Sequence, residues 1–163
     1  MKNVAIFCDI KDSFFLDYID KLKKKLSKNY KLNFFNNYNH QKKNANIAFF
    51  IACRKKIKKN HIKKNKVNVV VHPSKLPIGK GSGAVSWTIL EKKNIIWITL
   101  FKPDLINFDS GCIYMQDYFK LNGTELSNKI RAMQAKKIIE MICIFLKKYE
   151  KNKLLCLKQP KSK

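Results

Sequence analysis

The run Val67–Gly83, VNVVVHPSKLPIGKGSG, decides how the rest of the 163-residue chain is read. Four of its first five residues are valines, which favour the pleated, packed backbone of a strand. They carry His72 to the strand's end, where the chain turns into a loop holding Pro73, Pro77, Gly79, Gly81 and Gly83. Prolines and glycines at that density fix an irregular loop rather than a helix or another strand. A strand that stops at His-Pro-Ser predicts an α/β sheet with a functional edge at His72.

The flanking segments fit that sheet. On the N-terminal side, Asn46–Cys53 (NIAFFIAC) is a continuous apolar run, the pattern of a strand covered on both faces. Arg54–Lys66 sets Ile57 and Ile62 among lysines and predicts a short surface helix. Asn3–Cys8 is a first strand. Asp12 is placed to cap a helix whose apolar residues Phe15, Ile19, Leu22 and Leu26 recur every three or four positions. Tyr30–Phe35 is a second strand, followed by a polar loop, Asn36–Asn44. The first strand-to-helix turn has no glycine, so it is no dinucleotide fingerprint.

On the C-terminal side, Ala84–Leu90 is predicted helical, Ile95–Phe101 a strand, Pro103–Asp109 a loop and Cys112–Phe119 extended. Asn122 and Glu125 have capping-box spacing ahead of a helix that keeps Leu126, Ile130, Met133, Ile138, Ile142 and Phe145 near one face, to about Lys148. The predicted fold class is α/β: a single open, mostly parallel, Rossmann-like sheet with helices on both faces, spanning residues 1–148. Residues 149–163 form a basic tail expected to fray. In such sheets ligands bind outside the carboxyl ends of the strands, where His72 falls.

The formal charge is +24, from 35 Lys and Arg against 11 Asp and Glu. Only Arg54 and Arg131 are arginine, whereas base-reading surfaces favour the bidentate guanidinium fork. The charge is therefore read first as solvated lysine, and a nucleic-acid partner is the lesser expectation. No apolar run reaches the roughly 20 residues that span a bilayer, and no secretory leader is visible, which predicts a cytoplasmic protein. Five scattered cysteines without CxxC spacing predict small buried hydrophobes in a reducing compartment, with neither disulfides nor a metal site.

His72 is the first candidate for chemistry, since an imidazole at a strand end can move protons in either direction near neutrality. Asp109, in Asn107-Phe108-Asp109-Ser110-Gly111, is the second: a turn there can aim a carboxylate at the sheet edge and orient the histidine. Asp104 is read as a turn residue capping its own backbone. Gly79-Lys80-Gly81 lacks the GxxxxGK[ST] pattern, so no P-loop follows.

Taken in order, His-Pro-Ser-x-Leu-Pro (72–77), Gly-Lys-Gly (79–81), Ile-Thr-Leu-Phe (98–101) and Asp-Ser-Gly-x-Ile-Tyr (109–114) resemble the formyltransferase fold family. That family includes glycinamide ribonucleotide, methionyl-tRNA and sugar-nucleotide N-formyltransferases. Asn68–His72, Trp87–Glu91 and Gly123–Leu126 resemble one of its branches, so the likeness runs from about Asn46 to Lys148.

The resemblance implies transfer of a formyl group from 10-formyltetrahydrofolate, the donor cofactor, to a primary amine. His72 would move the proton and polarise the formyl carbonyl, and Asp109 would orient His72 and a bridging water. Cys53, Arg54, Phe108, Ser110 and Gly111 would line the pterin pocket, and Ser74 and Gly81 would shape the histidine loop. The chain departs from the pattern in three places. Val70 stands where the family's Asn-x-His has asparagine, and Asn68 lies roughly 6.5–7 Å further back along the strand. Lys75 replaces an acidic residue. Gly81-Ser82-Gly83-Ala84 lacks the tryptophan of Gly-Trp-Ser-Pro.

For the acceptor, the chain ends about 15 residues past its last helix, leaving no room for the RNA-binding domain of the tRNA enzymes. The first strand-to-helix turn lacks the glycines a purine-pathway phosphate calls for. By elimination the expected substrate is a nucleotide-linked amino sugar for surface polysaccharide, its phosphates met by Lys75 or Lys80. A homodimer is compatible with this. The competing expectation is a catalytically impaired formyltransferase-like domain that binds polyanions or nucleic acid.

Overall fold

The computed structural model describes residues 1–8, 13–53 and 55–160. Its strands form one six-stranded open sheet in the order β2-β1-β3-β4-β5-β6. The chain divides into two compact units, Met1–Val71 and His72–Lys163.

The first unit holds β1 (Lys2–Phe7), α1 (Ile19–Leu26), β2 (Tyr30–Phe35), β3 (Ala45–Ile51), α2 (Lys59–Lys63) and most of β4 (Asn65–His72). Its pairings are all parallel: Val4 faces Leu32 of β2 and Ile47 of β3, and Ile47 faces Val67 of β4. The valines of β4 therefore sit inside the sheet, as their β-branched run predicts. Phe7 stacks between Phe35 and Phe50, with ring centroids at 5.1 and 4.9 Å, and Tyr38 closes the cluster edge-on at 5.5 Å. Val70 and Cys53 pack against this aromatic cluster. In α1, Leu22 and Leu26 are buried at the expected four-residue spacing, and Phe15 is buried just before it. The cap expected of Asp12 lies outside the described residues.

His61 of α2 carries a pH-dependent term. It is buried, its Nε2 lies 3.1 Å from Asn39 Oδ1, and its Nδ1 is buried without a partner. Burial, then Lys64 and Lys58, hold its pKa below the usual 6.5. The unfolded chain thus takes up this proton first as pH falls, so the stability tied to neutral His61 is present above 6.5 and is lost as pH drops through the lower, folded value. Thermal midpoints should fall between about pH 7.5 and about pH 5.5, with less of that slope in His61→Gln.

The second unit holds α3 (Ala84–Leu90), β5 (Ile95–Phe101), β6 (Ile113–Lys120) and α4 (Ser127–Glu150). β5 and β6 are antiparallel, with Ile98 opposite Asp117 and a register shift at Leu100/Phe101. That pair is the exception in an otherwise parallel arrangement of the described pairings. α4 packs on β5 and β6, burying Ile130, Ile138, Ile142 and Phe145 as the periodicity predicts. Lys137 of α4 bonds Asp117 of β6 at 3.0 Å. Burial favours a raised Asp117 pKa, but that bond, the Tyr118 N–H and the Lys137 charge together hold it below its usual value.

Three expectations need correction. Asn122 and Glu125 do bind each other, the Asn122 N–H donating to the Glu125 carboxylate at 2.9 Å, but they close a turn ahead of the helix. The helix begins only at Ser127, and Leu126, its N-cap residue, is exposed. The described part of the segment after α4, residues 151–160, is tied down at Leu157 rather than frayed: Ile113 and Leu157 exchange both backbone hydrogen bonds, at 2.7 and 2.9 Å. Finally, Cys112 and Cys156 are joined in a disulfide, with Cα atoms 5.4 Å apart. The Ile113–Leu157 bridge sets the preceding residues side by side, a pairing across 44 residues that spacing does not reveal. The expectation that the cysteines form no disulfide therefore does not hold for this pair.

Closing a loop of that length restricts the unfolded chain. Replacing both cysteines by serine should cost about 2–4 kcal/mol in a urea melt. Among the described residues no helix is long and apolar enough to cross a membrane.

Candidate active site

The site is assembled within the second unit. His72 ends β4, and its side chain is 10% exposed. Its Nε2 lies 2.8 Å from the Gly79 carbonyl oxygen. A carbonyl only accepts, so Nε2 carries the hydrogen and, in the neutral ring, Nδ1 keeps the lone pair. That Nδ1 faces Asp109 Oδ2 at 3.8 Å, too far for a hydrogen bond and close enough for an ion pair. The Asp109 side chain is 14% exposed, so the pair sits where water screens it weakly. The geometry thus sets an imidazole nitrogen and a carboxylate oxygen face to face at the strand end.

Asp109 is held by its backbone and by Gly81. It adopts φ +50°, the left-handed region that Asp tolerates better than most non-glycine residues. Its Oδ2 accepts the Gly81 N–H at 2.9 Å. Gly79 brings its carbonyl to His72 at φ +73°, and a Cβ there would come within 2.9 Å of Ser74 Cβ. Gly111 allows the Asp109 turn to close, because a Cβ on it would overlap the Lys102 carbonyl oxygen. The Gly/Pro content of the loops thus answers to specific approaches.

Sequence reasoning missed what pins the histidine loop from below. Thr99 of β5, wholly buried, donates to the Ser74 carbonyl at 2.6 Å and accepts the Leu76 N–H at 3.4 Å. Gln116 of β6 donates to both Thr99 Oγ1 and the Leu76 carbonyl, at 2.9 and 3.0 Å. These bonds reach across 17 to 40 residues, and a threonine in an apolar strand offers no signal beyond its polarity. The Leu76–Pro77 bond in this loop is cis.

The other predicted residues are distributed as follows. Ser74 is buried beneath the loop. Lys75 Nζ lies 4.3 Å from the centroid of the Trp97 ring, an interaction that occupies its charge on the protein's own surface. Lys80 is exposed. Phe108 is 64% exposed, and its carbonyl accepts the Ser110 hydroxyl at 2.7 Å. Asp104 accepts the Ile106 and Asn107 N–H groups, the self-capping turn expected of it. Cys53 belongs to the first unit, where its thiol donates to the carbonyls of Phe7 and Ile51 at 3.4 and 3.6 Å. Arg54 lies outside the described residues. Asn68 is tied to Asn65 and to the Ile62 carbonyl, so its amide is committed within its own unit.

Solved structures superpose on this arrangement over nearly the whole chain. HypX from Aquifex aeolicus gives a TM-score of 0.79 at 16% identity over 98% of this chain and 29% of that one. The methionyl-tRNA formyltransferase from Clostridium thermocellum gives 0.75 at 21% identity, covering 99% of this chain and 70% of that one.

The chain has the formyltransferase fold.

The formyltransferase PseJ from Anoxybacillus kamchatkensis, solved with a UDP-linked 4-formamido sugar and tetrahydrofolate, shares this fold at a TM-score of 0.71 and 15% identity, covering 98% of this chain and 82% of that one. A Schizosaccharomyces pombe protein provisionally named a methionyl-tRNA formyltransferase is 36% identical over 77 residues, which is 45% of this chain. The match spans only 23% of that protein's length. No protein-family model matches the chain.

Proposed function

We propose that the protein transfers a formyl group from 10-formyltetrahydrofolate to a primary amine, with His72 Nδ1 as the proton acceptor. The observation that carries this is the ordered run Gly79 carbonyl, His72 imidazole, Asp109 carboxylate, Gly81 N–H, all at one strand end of a formyltransferase fold. As the amine attacks the formyl carbon, it must lose a proton. Nδ1 accepts it, and Asp109 stabilises the imidazolium that results. The same proton can then be returned to the departing folate nitrogen. Phe108, Ser110 and Gly111 are the residues of the Asp109 turn that would face the pterin, and the exposed Phe108 ring supplies a flat apolar surface for it.

Val70 offers no hydrogen bond to a developing oxyanion, and it is occupied packing against the Phe7 cluster. A side-chain donor at that position is worth about 2.7–4 kcal/mol, so a slower reaction is expected than in a site that has one. For the acceptor we propose a nucleotide-linked amino sugar, supported by the ligand named for the PseJ structure. Lys80, exposed beside Gly79 and Gly81, is placed to meet its phosphates better than Lys75, which lies over Trp97. Incubation with 10-formyltetrahydrofolate and a panel of amino-sugar nucleotides should give a formamide product by mass spectrometry. If no amine in the panel gains a formyl group, this function is wrong.

A polyanion-binding role is the second reading, and one observation favours it. A cavity of about 400 Å³ in the first unit is lined by Lys31, Lys42, Lys43 and His40. Binding of single-stranded RNA that weakens steeply with salt and persists in His72→Ala would support it.

A further inference from the structure

We infer that Gln159 is a positioning residue for Asp109, acting from the C-terminal segment that lies beyond α4. This rests on the proposed formyl transfer for its catalytic meaning, but not for its geometry. The Gln159 side-chain amide donates through Nε2 to two carbonyl oxygens at once, those of Asp109 and Gly111, both at 2.8 Å. One of these carbonyls belongs to Asp109, which sits at φ +50°, and the other closes the same turn two residues on. Pinning the peptide that directly follows a left-handed residue restrains the direction in which its side chain leaves the backbone. Asp109 Oδ2 is thereby held toward the Gly81 N–H and His72 Nδ1.

Gln159 is itself delivered by two anchors close to it in the chain. The Cys112–Cys156 disulfide lies three residues before it, and the Leu157–Ile113 backbone pair lies two before it. Cys112 and Ile113 directly follow the turn that Gln159 clamps. The segment therefore forms a strap fastened at the base of the turn and gripping its far side. Gln159 reaches the Asp109 turn from outside the loops around the site. A chain ending before this residue would keep every residue of the proposed chemistry and lose the clamp.

The amide is needed for its donors, so Gln159→Glu, similar in shape, would set a carboxylate against two carbonyl oxygens. The test uses the full chain, with the Gly81 amide proton in a ¹⁵N-correlated spectrum as its direct readout, because that N–H donates to Asp109. Gln159→Glu should shift the Gly81 signal upfield toward its position in Asp109→Asn. The Ile113 and Leu157 amides should stay protected from exchange, and the apparent kcat should fall about tenfold or more. Gln159→Met, apolar and of similar length, is the second variant, read if the carboxylate disrupts the β5–β6 ladder. An unmoved Gly81 signal in a folded variant overturns the inference, as does a kcat loss that merely follows a loss of the folded fraction. If wild type transfers no formyl group, the proposed function fails, and the Gly81 shift still decides the role of Gln159.

Discussion

His72→Ala should lower formyl transfer by about 10²–10⁴-fold while leaving the thermal midpoint close to wild type. The imidazole makes one polar contact that shapes the loop, to the Gly79 carbonyl, and that loop is held independently by Thr99 and Gln116. The loss should therefore appear in kcat more than in stability. Asp109→Asn separates charge from shape. Asparagine tolerates φ +50° and can still accept the Gly81 N–H through its Oδ1, but it offers no negative charge to an imidazolium. Its rate should lie between those of wild type and His72→Ala in a stopped formylation assay. A His72→Ala enzyme with near wild-type turnover would remove the histidine from the mechanism.

The largest structural effect is expected from Gly111→Ala. Its added methyl group would occupy the place of the Lys102 carbonyl oxygen, a backbone atom that cannot swing aside as the end of a side chain could. The Lys102 N–H bonds the Cys112 carbonyl at 2.8 Å, so the obstruction falls between strands already locked together. Relief requires opening the start of β6 or displacing the Asp109 turn. A destabilisation of about 3 kcal/mol or more is expected in chemical denaturation. Gly81→Ala is the contrast: nothing lies within 4 Å of a Cβ there, and its cost should come from φ +92° alone.

The strands and helices were legible in the sequence because their signals are local. Ala84–Leu90 and Ile95–Phe101 have the bounds that their apolar patterns predict, and Tyr30–Phe35 likewise. His72 was legible too, since a valine run ending in a histidine before a Gly/Pro loop declares its position. The contacts that make the site rigid were not. Thr99 reaches Ser74 across 25 residues, Gln116 reaches Leu76 across 40, and Gln159 reaches Asp109 across 50. Each is an ordinary polar residue whose importance exists only after the sheet forms. The disulfide failed for the same reason: Cys112 and Cys156 meet because Ile113 and Leu157 pair, and no spacing rule encodes that. The capping-box error was of another kind. Asn122 and Glu125 make the bond expected of them, and the helix starts later.

The central claim is that the strand end at His72 serves a folate formyl donor. Titration calorimetry with 10-formyltetrahydrofolate, or with a stable analogue bearing the same pterin, tests it most directly. The account predicts saturable one-to-one binding that persists in His72→Ala, which removes the proton acceptor without removing the Phe108–Gly111 turn. It also predicts that Gly111→Ala weakens or abolishes that binding. No heat of binding at millimolar donor, from protein shown to be folded, would contradict it.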